Sequence, residues 1–267
     1  MTKLDLKEIK ASFARDGFVK VKGLFDKDLI RNLLNLIDSS KKLKQADGVI
    51  FDDINDKIML RYIPQPQNSE PIFLRLIHSG LLNLGSKLLN EEVYFSGIDI
   101  HCRAAKAEKP TPPHQDSFLA CFEDGFESLI TCYLSLSGMD HGTACLRFIK
   151  GSHTQPTIDH KKSLIRGFSS VIEDTSDLLP KEMLENEEIV TLEKGECVFF
   201  HSKTIHYTNQ LEKPTSGRVS SAIRLGGFSA KYSPIRQEIY KNNVKYNREN
   251  TKNEGLISNL SKPQHND

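Results

Sequence analysis

Between Val93 and Phe228 the chain is written in short runs, alternating or wholly apolar, each closed by turn residues. The runs fall at 94–100, 129–136, 144–149, 189–192, 197–200 and 220–228. Segments of this length and spacing read as β-strands, and their succession predicts a sandwich or barrel.

The first ninety or so residues read differently. Residues 4–15 carry a helical mixture that stops at Asp16-Gly17. Phe18-Val19-Lys20-Val21 alternates as a short strand does. Asp26 stands where it can cap a helix whose Leu29, Leu33, Leu34, Leu36 and Ile37 share one face. A further apolar helix is expected over 72–89. No Pro/Gly/Ser linker divides the chain, so the simplest organisation is one domain over 1–267. It has a mostly helical part at 1–92, a β core at 93–232 and a polar tail at 241–267, read as a helix end followed by a loose terminus. The polar stretch 154–188 reads as a long loop of the core, the kind that forms functional lids.

Composition excludes more than it assigns. The 267 residues are 38% hydrophobic and 27% charged, with a formal net charge of +1. That balance gives no global field for nucleic acid or an anionic membrane, and no basic–aromatic stripe appears. No apolar run approaches the roughly 18 residues of a membrane span. The N-terminus is charged and lacks a signal-like apolar core, so a cytoplasmic location is expected. The five cysteines include no C-x-x-C pair and sit mostly in apolar runs, which reads as buried free thiols in a reducing compartment.

Three segments carry chemistry. In Pro112-Pro113-His114-Gln115-Asp116 an extended backbone would send residues i and i+2 to the same side, bringing an imidazole and a carboxylate together. A second His from a neighbouring strand would complete two nitrogens and one oxygen with open positions on the metal, a set suited to non-haem Fe(II). By itself H-x-D is also compatible with a plain hydrogen-bonded pair. The second segment runs from Gly195 through an apolar strand to two histidines, His201 and His206, either of which could serve. The third holds Arg218 and Arg224 in a strand from Ser216 onward. A strand Arg is costly to bury without an anion, which could be a structural carboxylate or a bound dicarboxylate held through paired hydrogen bonds.

Taken as a set, these segments resemble the phytanoyl-CoA dioxygenase family of Fe(II)/2-oxoglutarate-dependent oxygenases. The matching stretches are His114-Gln115-Asp116, the Gly142 to Gly151-Ser152-His153 segment, Gly195-Glu196 to Phe200, and the N-terminal Asp16-Gly17-Phe18 with Gly23-Leu24. The family's distal His falls on His206, eleven residues after Gly195, and its Arg on Arg218, twelve residues later. The resemblance spans about residues 10–232. It implies a double-stranded β-helix (jelly-roll, cupin-like) core with N-terminal helices packed on it. It further implies Fe(II) on His114, Asp116 and His206, with 2-oxoglutarate as cosubstrate reaching Arg218 and Thr208. Hydroxylation of a small molecule by O2 would then release succinate and CO2. Family halogenases lack the carboxylate, so Asp116 favours hydroxylation. His101 marks a place where related enzymes put a polar cosubstrate contact, His153 reads as a loop-shaping turn, and His201 is not a ligand. His78, His141, His160 and His265 carry no signal.

Two other readings keep the same barrel: a cupin-like metal-dependent binding protein, and a non-redox metalloenzyme such as an isomerase. Arg218 separates the first, because a passive binder needs no 2-oxoglutarate anchor; ligand type alone does not separate the second, since imidazole and carboxylate accept several divalent metals. The substrate, the oligomeric state, the choice between Arg218 and Arg224, and hydroxylation against desaturation, cyclisation or epoxidation on the same iron set are not legible. Arg166, Lys161 and Lys162 are candidates to meet an anionic substrate or simply solvated loop residues.

Overall fold

The computed structural model describes residues 5–54, 57–77, 80–104, 110–165, 168–208 and 217–250. Its strands are β1 (Phe18–Val21), β2 (Ile50–Ile54), β3 (Lys57–Pro64), β4 (Val93–Arg103), β5 (Leu129–Ser135) and β6 (Leu146–Ile149). They continue with β7 (Lys161–Lys162), β8 (Ser170–Val171), β9 (Glu187–Val190), β10 (Cys197–His201), β11 (His206–Thr208) and β12 (Arg218–Gly227). Seven form one sheet in the order β1-β10-β5-β12-β4-β3-β2, three form a second in the order β11-β6-β9, and β7 pairs with β8. Every pairing is antiparallel. The two main sheets make a jelly-roll core with flanking helices.

Strand alternation divides the large sheet into two faces. Outward go Ile98, Ile100, Ile130, Cys132, Leu134, Phe199, Ile223 and Leu225, which pack with the N-terminal helices in one cluster. Inward go Tyr133, Val198, Phe200 and Ala222, which meet Leu146, Phe148 and Val190 of the small sheet. The inward face also carries polar groups, and these make the site.

The N-terminal helices are where capping chemistry places them. Asp5 caps Leu6–Asp16 by accepting from the Lys7 and Glu8 amides, and Asp26 caps Lys27–Ser39 by accepting from Leu29 at 2.9 Å. The second helix buries Leu29, Ile30, Leu33 and Ile37 on one side. Leu33 is fully buried, so Leu33→Ala should cost about 2–5 kcal/mol, since the methyl groups lose their contacts and leave a cavity. Denaturant unfolding checks this.

The structure departs from the sequence reading in three places. The helix expected over 72–89 is two pieces, a 3-10 helix Pro71–Leu76 and an α-helix Leu81–Leu89, because Gly80 sits in the left-handed region at φ 81°. The mostly helical 1–92 stretch also contains the β2–β3 hairpin, which extends the large sheet through β4. The 154–188 loop contains the β7–β8 pair and short helical turns. The helix end expected at the start of the tail belongs to the helix Pro234–Asn250, whose Asn243 and Asn247 are buried against Ser170 and the Ser163 and Ile165 carbonyls. His78, Arg166, His265 and residues 251–267 lie outside the described residues.

Candidate metal centre

The H-x-D segment works through backbone pairing. His114 and His206 form an isolated antiparallel bridge, with each amide donating to the other's carbonyl at 3.2 and 3.1 Å. Their ring centroids are consequently 4.2 Å apart. Gln115 is extended, at φ −122° and ψ 129°, so the i and i+2 side chains do converge. Asp116 itself is not in a strand; it opens a short helical turn, Asp116–Leu119.

One nitrogen of each imidazole and one oxygen of the carboxylate have fixed partners. Nδ1 of His114 lies 2.8 Å from the Pro112 carbonyl, and Nδ1 of His206 lies 3.0 Å from the Thr204 carbonyl. A carbonyl only accepts, so both Nδ1 atoms carry the proton and both Nε2 atoms present a lone pair. Each Nε2 lies 3.8 Å from Asp116 Oδ1. The other carboxylate oxygen accepts from the Thr131 hydroxyl at 2.8 Å. Three acceptor atoms thus lie within 4.8 Å of one another, on buried residues. Such a set, with nothing but lone pairs facing inward, is one a divalent cation would stabilise and its absence would leave unsatisfied.

The electrostatics agree. Burial, then the neighbouring His206, pushes the His114 imidazole down to about 3, and burial pushes His206 down as well, so both rings are held neutral. Burial alone would raise the Asp116 carboxyl. His206, Arg224, His114 and the Thr131 bond outweigh it and hold the group below the ordinary carboxylate range.

The turn behind the ligands is locked. The Gln115 side chain, fully buried, donates to the Lys203 carbonyl at 2.7 Å and accepts from Ile158 at 2.8 Å. The Gln115 amide donates to Nε2 of His160 at 3.0 Å, and that ring stacks on Phe118 at 4.2 Å. Burial pushes His160 down to about 4, keeping it a neutral acceptor. Sequence reading gave His160 no signal, because its partner is a backbone amide 45 residues away.

The two arginines separate clearly. Arg224 is already paired with Asp99. Arg218, buried on the inner wall, donates to the Tyr133 hydroxyl and to Ser220 at 3.1 Å, and its Nε has no partner. Thr208 follows His206 by two residues on β11, and its hydroxyl accepts from the Thr111 amide at 2.8 Å while keeping its own proton to donate. His101 lies on the same wall between the rings of Tyr62 and Tyr133, pushed down to about 4 chiefly by burial.

His153 does more than shape a turn. Its Nε2 lies 3.2 Å from the Ala14 carbonyl, and its ring lies against Gly17, where an added Cβ would come 2.5 Å from Nδ1. The Gly-Ser-His segment therefore docks the end of the first helix on the core. His201 is turned away from the triad toward Phe13 and His153. Phe168 approaches the triad from the 154–188 segment, its ring 5.8 Å from His114. The five cysteines are free.

Thr131 gives a sharp test of how the carboxylate is oriented. Thr131→Val keeps the shape but removes the hydroxyl, and metal affinity should fall about 10–100-fold, as for other groups that orient a ligand. Competition with a chelator measures it.

The family model for phytanoyl-CoA dioxygenase (PhyH) matches residues 13–212. No curated protein matches the chain. Among solved structures, the epimerase SnoN, in complex with Fe3+, alpha ketoglutarate and nogalamycin RO, superposes with a TM-score of 0.68 at 20% identity. The match covers 97% of this chain and 92% of that one. EctD from S. alaskensis, with 2-oxoglutarate and 5-hydroxyectoine, gives a TM-score of 0.67 at 20% identity, covering 84% and 77%. The carbocyclase SnoK from nogalamycin biosynthesis gives 0.67 at 17%, covering 85% and 86%. At these identities the likeness shows the fold.

Proposed function

The chain belongs to the phytanoyl-CoA dioxygenase family, and from that premise we propose that it is an Fe(II)/2-oxoglutarate-dependent dioxygenase hydroxylating a small molecule. One observation carries the reading: two neutral imidazole nitrogens and one carboxylate oxygen, all buried, facing one another within 4.8 Å. His114, Asp116 and His206 would hold the iron. Bound there, it would supply the activation of O2, with one oxygen atom going to succinate as CO2 leaves and the other to the substrate.

The chain's own groups do the rest. The Pro112 and Thr204 carbonyls hold both imidazoles in the tautomer that ligates, and Thr131 orients the carboxylate. Arg218 and Thr208 would receive the distal carboxylate of 2-oxoglutarate on the inner wall. Phe168, its ring beside His114, would narrow the approach to the metal. Asp116 fills the position that a halide would need, which favours oxygen transfer.

No helix among the described residues is long and apolar enough to cross a membrane. The test is succinate release with Fe(II), 2-oxoglutarate and a panel of metabolites, followed by product mass. A product heavier by one oxygen supports hydroxylation. Metal-loaded protein that yields no succinate, with or without substrate, contradicts the reading. The likeness to SnoN and SnoK supports a second outcome of the same chemistry, epimerisation or ring closure, in which the product gains no oxygen.

A further inference from the structure

Arg218 does not stand alone on its wall. β12 pairs with β4 so that Arg218 lies opposite Arg103. Cross-strand partners project to one face with Cβ atoms about 4.5–5.5 Å apart, and like charges placed so repel. Other arginines inside the described structure are matched to acids: Arg61 to Asp52, Arg147 to Glu187, Arg224 to Asp99 and Arg236 to Asp124. Among the described residues Arg103 and Arg218 have no carboxylate partner. Arg218 spends its bonds on Tyr133 and Ser220. Burial first, then Arg218 beside it, lowers Arg103 to about 10. Both guanidiniums act on the same neighbour, Tyr133: Arg218 lies over its ring at 5.7 Å, and Arg103 is within its electrostatic reach.

Two desolvated cations side by side, with no acid paired to either, are costly, and an anion shared by both would relieve that cost. We propose that Arg103 and Arg218 form a two-guanidinium clamp closing on one carboxylate, the distal group of a dicarboxylic 2-oxo acid. This rests on the cosubstrate reading above and adds to it a second anchoring residue on a different strand. The clamp also sets selectivity. A monocarboxylic 2-oxo acid such as pyruvate would reach the metal but leave both cations uncompensated, so it should bind poorly.

The experiment is calorimetric titration of Mn(II)-loaded protein, which does not turn over, with 2-oxoglutarate and with pyruvate. Arg103→Gln should weaken 2-oxoglutarate binding at least tenfold and change pyruvate binding less than twofold. Arg103→Lys should recover part of the loss. Without 2-oxoglutarate, Arg103→Gln should melt no lower than the parent, because a repulsion has been removed, and its Mn(II) affinity should be unchanged. If Arg103→Gln binds 2-oxoglutarate within twofold of the parent while Arg218→Gln does not, the clamp is wrong and the cosubstrate reading stands. If the Mn(II)-loaded parent binds no 2-oxoglutarate at all, both fall.

Discussion

Asp116→Ala should lose metal binding by well over the roughly 10–100-fold that follows removal of a group merely hydrogen-bonded to a ligand, and 2-oxoglutarate turnover should vanish with it. The carboxylate is the only anion among the three converging side chains, since both imidazoles are held neutral. Its removal leaves two lone pairs and no charge to balance a divalent cation in a buried site. The substitution also strands the Thr131 hydroxyl, at a cost of about 1–3 kcal/mol of stability, so a melting curve should accompany the metal titration. Asp116→Asn, which keeps the shape, should show the same metal defect with less structural cost. Full turnover in either variant would contradict the assigned role.

The second large effect is expected at Arg218. Arg218→Gln should raise the KM for 2-oxoglutarate by about 2–3.5 orders of magnitude, the equivalent of roughly 3–5 kcal/mol for breaking a buried charge pair. At saturating cosubstrate kcat should change little, because the distal carboxylate is held equally in ground and transition states. Arg224→Gln should behave differently. It leaves Asp99 buried without its cation, so it should destabilise the whole protein by a comparable amount rather than act on the KM. Initial rates against 2-oxoglutarate concentration, with unfolding curves for both variants, separate the two arginines.

Much of this architecture is legible in the residue pattern, because alternation is read directly by burial. The runs at 129–136 and 220–228 lie on the two central strands, and Asp26 caps the second helix as its position suggests. The β2–β3 hairpin is missed for a physical reason. Its residues Asp52, Asp53 and Lys57 dilute the apolar signal, and the start of β3, which pairs only with the edge strand β2, is exposed. The closing helix is read as having little to bury because Asn243 and Asn247 are buried through hydrogen bonds rather than apolar area, which hydropathy does not register.

The site is legible in part for a similar reason. His114 and Asp116 are two residues apart, so local geometry brings them together. His206 against His201 is undecided by spacing, and it follows from a bridge between segments 92 residues apart. Arg218 against Arg224 turns on which of them Asp99 neutralises, a contact from β4 that the strand's own sequence does not reveal. Thr131, Tyr133 and His160 escape sequence reading altogether, because each acts through a partner far along the chain.

A crystal structure of the protein grown with Mn(II) and 2-oxoglutarate, phased to show the metal's anomalous signal, examines the convergence most directly. One peak is expected, at bonding distance of roughly 2.0–2.3 Å from Nε2 of His114, Nε2 of His206 and Oδ1 of Asp116. A metal seated on other side chains, or saturating Mn(II) with no peak between these three, would contradict the account.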